Sequence, residues 1–165
     1  MKIINFFILL FTLVSLQANE VLIEKKKVPI NIALPLLQSI DQYSIYVGTG
    51  PISIYAFIDP LCPRSQDFVE MVVENKKMQT RYTYHFFLYE LERFNTKKLI
   101  AEIYNNKKPF SVVKRIMLDK EELKGLNIIP AEINVKINAI KEVAKKLDIY
   151  KRPYLFVVKP QKGGK

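Results

Sequence analysis

The side chain best suited to chemistry in this sequence stands alone. Cys62 is the one cysteine among 165 residues, within Phe57-Ile58-Asp59-Pro60-Leu61-Cys62-Pro63-Arg64-Ser65. That run follows an apolar strand-like segment and opens a helix-like one. A thiol at a helix N-terminus faces unpaired N–H groups and the positive end of the helix dipole, and both favour the thiolate. Arg64 adds a neighbouring positive charge. The thiolate is the species that attacks disulfides. A second thiol at i+3 would let such a site cycle its own disulfide, but the residue there is Ser65. With no partner in the chain, Cys62 is a reactive nucleophile, an intermolecular partner, or an inert buried side chain. His85, the single histidine, falls inside a strand-like run, where a packed role fits better than that of a catalytic base. No second ligand-type cluster supports a metal site, and no cofactor is expected.

The elements that would hold Cys62 come from a chain of single-domain length. Its start reads as a signal peptide over residues 1–18, with Lys2 ahead of an apolar stretch from Ile3 to Leu16. That stretch is short of the roughly twenty apolar residues of a spanning helix, so an uncleaved anchor is the weaker alternative. Export places the mature chain in an oxidising compartment, periplasmic or secreted. The formal charge is +10, from 26 Lys and Arg against 16 Asp and Glu. A surface this basic attracts anionic membrane faces or acidic proteins. Its lysines are scattered in pairs without interleaved base-stacking aromatics, so nucleic acid is not expected as a partner.

After an N-terminal extension over 19–43, the pattern alternates. Pro29 to Ile40 suits a short helix or an extended segment, interrupted by Pro35. Tyr43 to Val47 reads as a strand, and Gly48-Thr49-Gly50-Pro51 as a turn that predicts a hairpin into the next strand. Ile52 to Ile58 is a nearly continuous apolar run, which suits a strand buried on both faces. A helix is predicted from Pro63 to about Asn75, with Phe68, Val69, Met71 and Val72 inward. Tyr82 to Tyr89 is another strand, completing a parallel strand-helix-strand unit. Helical stripes fill about 95–147: Leu99, Ile100, Ile103 and Tyr104; then Val112, Val113, Ile116 and Met117; then Ile133, Ile137, Ile140, Ala144 and Leu147. These are core faces. A last strand covers Tyr154 to Val158, and 159–165 forms a tail.

Two segments carry a resemblance. Phe57-Ile58-Asp59-Pro60-Leu61-Cys62-Pro63 is similar to the aromatic-x-Asp-Pro-x-Cys-Pro opening of the thioredoxin-like periplasmic disulfide isomerases and oxidoreductases. Leu147-Asp148-Ile149-Tyr150-Lys151-Arg152-Pro153-Tyr154-Leu155-Phe156-Val157 resembles the segment in which a cis-proline opens the next strand of that family. The resemblance implies an α/β thioredoxin-like domain over 44–158 with a helical insert between its halves. It also implies that Cys62 is the attacking thiol and Pro153 the facing cis-proline. Asp59, Pro63, Arg64, Ser65 and Arg152 are the supporting motif positions.

Three departures shape the expected function. Ser65 gives a degenerate Cys-Pro-Arg-Ser motif, so an adduct with a client cannot be released by internal attack. Arg152 puts a bulky cation before Pro153, which would alter or block the peptide groove, or select acidic clients. The complete fold's C-terminal strand and helix are not legible after Val158, which would leave one sheet edge and one face for the N-terminal segment, the insert or a partner to cover. Exchange or isomerisation through a mixed disulfide at Cys62 with envelope proteins is one expectation. A non-catalytic binding or assembly factor of an envelope complex is the other. The Cys-Pro-x-Ser pattern also resembles monothiol glutaredoxins, but export argues against that reading. A free exported thiol also allows a homodimer.

Overall fold

The computed structural model describes residues 27–160. The leader expected over 1–18, the first eight residues of the N-terminal extension and most of the tail lie outside the described residues. Four strands, β1 (Ile45–Val47), β2 (Ile52–Ile58), β3 (Tyr82–Leu88) and β4 (Tyr154–Val158), form one sheet in the order β1-β3-β2-β4. β2 and β3 run parallel at its centre, with β1 and β4 antiparallel on the flanks. The last five residues of β2 and of β3 are all buried, as their unbroken apolar runs require.

The hairpin expected after β1 does not form: β1 pairs with β3, not with β2. The Gly48–Pro51 segment instead crosses the start of β3. Thr49 N–H donates to the Gln79 carbonyl at 2.8 Å and Gly50 N–H to the Tyr82 carbonyl at 3.2 Å. This crossing is possible because both glycines lack a Cβ. One on Gly50 would sit 1.9 Å from the Arg81 carbonyl carbon, and Gly48 adopts φ +88° with Tyr82 O only 2.3 Å from such an atom. Contact between backbones, rather than a two-residue turn, therefore decides which strand β1 joins.

Helix α1 (Ile30–Ser39) keeps Pro35 inside it, and α2 (Pro63–Glu74) starts where the sequence places it. On α2 the buried residues are Ser65, Val69 and Val72, while Met71 is 44% exposed, contrary to its expected inward position. A short helix missed in the sequence, α3 (Lys76–Arg81), follows at once, capped by the Asn75 side chain accepting from Met78 N–H at 3.2 Å. Three helices lie between β3 and β4: α4 (Lys97–Asn105), α5 (Pro109–Met117) and α6 (Ala131–Lys146). Their predicted stripes are buried throughout. α4 packs against both of the others. It also grips the end of β3, where Leu88 N–H donates to the Tyr104 hydroxyl at 3.0 Å.

The two faces of the sheet are covered from different parts of the chain. Ile54, Ala56, Tyr84 and Phe86 lie on the face that α2 covers through Phe68, whose ring centroid is 6.1 Å from those of Tyr84 and Phe86. The opposite face carries the cross-strand row Tyr46, His85, Tyr55 and Phe156. The N-terminal segment lies across it. At one end, the Lys27 ammonium stands 5.3 Å over the Tyr154 ring and 4.8 Å over that of Phe156. At the other, Asp41 Oδ1 meets His85 Nδ1 at 2.6 Å. Between these anchors, Ala33 and Leu37 of α1 are fully buried. The N-terminal side thus contributes cover to that face, although Tyr46 at its edge stays 52% exposed. Among the described residues no strand pairs with the outer edge of β4.

Candidate active site

The site lies where β2 ends. Asp59 is fully buried and accepts from three directions: Leu61 N–H at 2.9 Å, Thr96 Oγ1 at 2.8 Å and Leu91 N–H at 2.5 Å. One carboxylate thus shapes the turn leading to Cys62 and also ties down the segment after β3. The supply of hydrogen bonds is what makes a buried carboxylate tolerable. Cys62 N–H closes the turn on the Asp59 carbonyl at 3.1 Å. Cys62 is then the N-cap of α2, its carbonyl accepting from Ser65 and Gln66 N–H at 2.9 and 3.0 Å, with Pro63 in the first turn. Proline fits there because its missing N–H has no helical partner.

Ser65 is fully buried behind the thiol, and its Oγ accepts from Asp59 N–H at 3.3 Å. It is part of the scaffold of the turn. Arg64 is exposed beside Cys62.

Opposite the thiol stands the segment that leads into β4. The Arg152–Pro153 peptide bond is cis. Cys62 Sγ lies 3.8 Å from the Arg152 carbonyl oxygen, within reach of S–H donation. Cys62 is 2% exposed and lines a cleft of about 720 Å³, which Tyr89, Glu90, Arg93, Tyr150 and Lys151 also line.

Arg152 does not block that cleft. It is 5% exposed and turned beneath it, with its guanidinium carbon 3.7 Å from the centroid of the Tyr89 ring. Nε donates to the Tyr89 carbonyl at 3.0 Å and Nη2 to that of Glu90 at 3.2 Å. Nη1 reaches the carbonyls of Lys151 and Ile149 at 2.9 and 3.5 Å. Burial holds this guanidinium below its ordinary pKa, opposed by the hydrogen bond to Tyr89 and by Asp59 and Cys62 nearby. Its partners are carbonyl oxygens and a ring face. Among the described residues no carboxylate hydrogen-bonds it.

The structure therefore brings Cys62, Pro63, Arg64, Asp59, Ser65, Arg152 and Pro153 into one place. Sequence reasoning missed Tyr89, Glu90, Arg93 and Lys151. The signal for Tyr89 was slight: an aromatic residue just past a strand, able to offer a ring to a cation. His85 is not in the site. It is buried against Tyr55 and Tyr46, with ring centroids 4.3 and 4.8 Å away, and is bound to Asp41. Among the described residues no group of three His, Cys, Asp or Glu side chains is placed to hold a metal ion. Nor is any described helix long and apolar enough to cross a membrane.

No family model matches the chain, and no curated protein does. Solved structures do. Proteus mirabilis ScsC in a transitional conformation superposes with a TM-score of 0.63 at 15% identity, covering 93% of this chain and 80% of that one. The catalytic domain of Proteus mirabilis ScsC gives 0.58 at 14%, covering 76% and 85%. A disulfide interchange protein from Neisseria gonorrhoeae gives 0.54 at 13%, covering 74% and 90%. At these identities the likeness is one of fold, and that fold is thioredoxin-like.

Proposed function

We propose that on this thioredoxin-like fold Cys62 is a monothiol nucleophile, and that the chain is exported and exchanges disulfides with proteins of the cell envelope. The observation that carries the reading is the apposition of Cys62 Sγ and the Arg152 carbonyl, 3.8 Å apart, in two residues that line an open cleft. The thiolate attacks one sulfur of a client disulfide. A Cys62–client bond forms, the client S–S bond breaks, and the second client sulfur leaves as thiolate. Ser65 offers no sulfur for release. A client thiol, returning to the adduct, reforms a client disulfide in a new pairing and restores Cys62. That sequence is isomerisation, needs no net oxidant, and suits a redox chaperone. The backbone around Pro153 forms the wall along which an extended client segment lies.

The test is recovery of activity by scrambled ribonuclease in a glutathione buffer, beside non-reducing capture of adducts. The intact protein accelerates recovery and forms client adducts, and Cys62→Ser does neither. Equal rates with Cys62→Ser would overturn the proposal. One observation favours the runner-up, a non-catalytic binding or assembly factor of an envelope complex: Cys62 is only 2% exposed. On that reading Cys62→Ser retains its cellular role with folding unchanged.

A further inference from the structure

We propose that the cleft over Cys62 selects client disulfides flanked by acidic residues, an inference that rests on the exchange reading above. Three separate elements bring cations to the rim of the cleft. Arg64 comes from the first turn of α2, Arg93 from the 3-10 turn Glu92–Phe94, and Lys151 from the segment before β4. All three are exposed. Beneath them lies the buried Arg152 guanidinium, held by backbone carbonyls and the Tyr89 ring.

The opposing charges in the lining are Glu90 and Glu92. Glu90 is already engaged, its Oε1 accepting from Lys97 N–H at 3.0 Å at the start of α4. Four cations, Arg64, Arg93, Lys151 and Arg152, thus outnumber the two carboxylates, Glu90 and Glu92, among the residues lining the cleft. A cleft with an excess of one sign, walled by protein, focuses potential and raises the encounter rate of oppositely charged groups. The ligand class is an acidic peptide segment carrying a disulfide. Its carboxylates meet Arg93 and Lys151 at the rim as its sulfur reaches Cys62. The chemistry is unchanged: Cys62–S⁻ and R–S–S–R give Cys62–S–S–R and R–S⁻.

The reduced full chain is mixed with three disulfide-linked peptide homodimers, identical except that Glu, Gln or Lys flanks the cysteine. Adduct formation is followed by mass spectrometry at low and at high salt. Each rate is divided by that of an unstructured, uncharged peptide thiol, which removes intrinsic reactivity. The expected result is a Glu-over-Lys preference of roughly tenfold at low salt, shrinking as salt screens the rim. In the Arg93→Glu/Lys151→Glu double variant, whose sites are exposed and whose fold is checked by circular dichroism, the preference vanishes or reverses. Equal normalised rates for the three peptides in the native chain would overturn charge selection while leaving exchange intact. Reaction with none of them would overturn the exchange reading itself, and this inference with it.

Discussion

Replacement of Arg152 separates two roles that its position allows. The side chain is 5% exposed and makes three hydrogen bonds of 3.2 Å or shorter, one longer contact and a ring contact. Hydrogen bonds to a charged group contribute about 1.5–3 kcal/mol each, which would put three near ~4.5–9 kcal/mol. Taking the guanidinium out of water offsets several kcal/mol of that. The net loss expected for Arg152→Ala is therefore about 2–4 kcal/mol, since the carbonyls of Tyr89 and Glu90 lose their donors and the Tyr89 ring loses its cover. Arg152→Met keeps an apolar stem against Tyr89 and removes the buried charge, so it should lose less, about 1–2 kcal/mol. Urea unfolding followed by circular dichroism and tyrosine fluorescence measures both, with the slope against denaturant checked for constancy. If Arg152→Met is as stable as the native chain or more so, the guanidinium is not what holds the segment after β3 to the Pro153 loop, and the reasoning fails.

Two further predictions rest on single buried atoms. Ser65→Cys places a second thiol three residues after Cys62, in a fully buried position behind it. Adducts with clients should then be released by internal attack, leaving an intramolecular disulfide visible as a loss of two hydrogens by mass spectrometry, and long-lived adducts should disappear. The Tyr84 hydroxyl is buried with no hydrogen-bond partner among the described residues, and burial, aided by Tyr82, pushes its pKa up to about 12. Tyr84→Phe should be neutral or stabilising by up to ~1 kcal/mol at pH 7, because no bond is lost and one orphaned hydroxyl is removed. The unfolded chain releases this proton first, near pH 10. Stability from this group is therefore complete below pH 10 and lost as pH rises toward 12, and Tyr84→Phe should show a shallower loss over that window in alkaline unfolding curves.

The apolar runs of β2 and β3 and the stripes of α4, α5 and α6 were legible because burial on both faces, or along one stripe, leaves a direct periodic trace. The Asp59-to-Ser65 turn was legible because Asp59-Pro60 ends the apolar run of β2 and Pro63 suits the first turn of a helix. The partner of β1 was not. Its choice depends on Gly48 and Gly50 passing over Arg81 and Tyr82, a contact between backbones that side-chain patterns do not encode. The orientation of Arg152 was hidden for a related reason. A cation before a proline reads as an obstruction in one dimension, and only the carbonyls of Tyr89 and Glu90 give it somewhere else to go. Met71 shows the limit of a helical stripe: one position before the fully buried Val72, about 100° round the helix, it is 44% exposed.

The separation in sequence of the paired parts of this molecule bears on how it acquires its shape. The Lys27 ammonium donates to the Leu155 carbonyl across 128 positions, and Cys62 meets Arg152 across 90. Contacts of such span form slowly, because a long loop must close before any of them stabilises the chain. β4 must also insert beside β2 after the whole helical region has been made, so the sheet centre stays open on one side until then. During that interval Cys62 is a free thiol without its facing wall, available to any disulfide it meets. The same cysteine that serves the finished cleft is thus a route to covalent misassembly in the immature chain, and the speed at which β4 docks sets how long that exposure lasts.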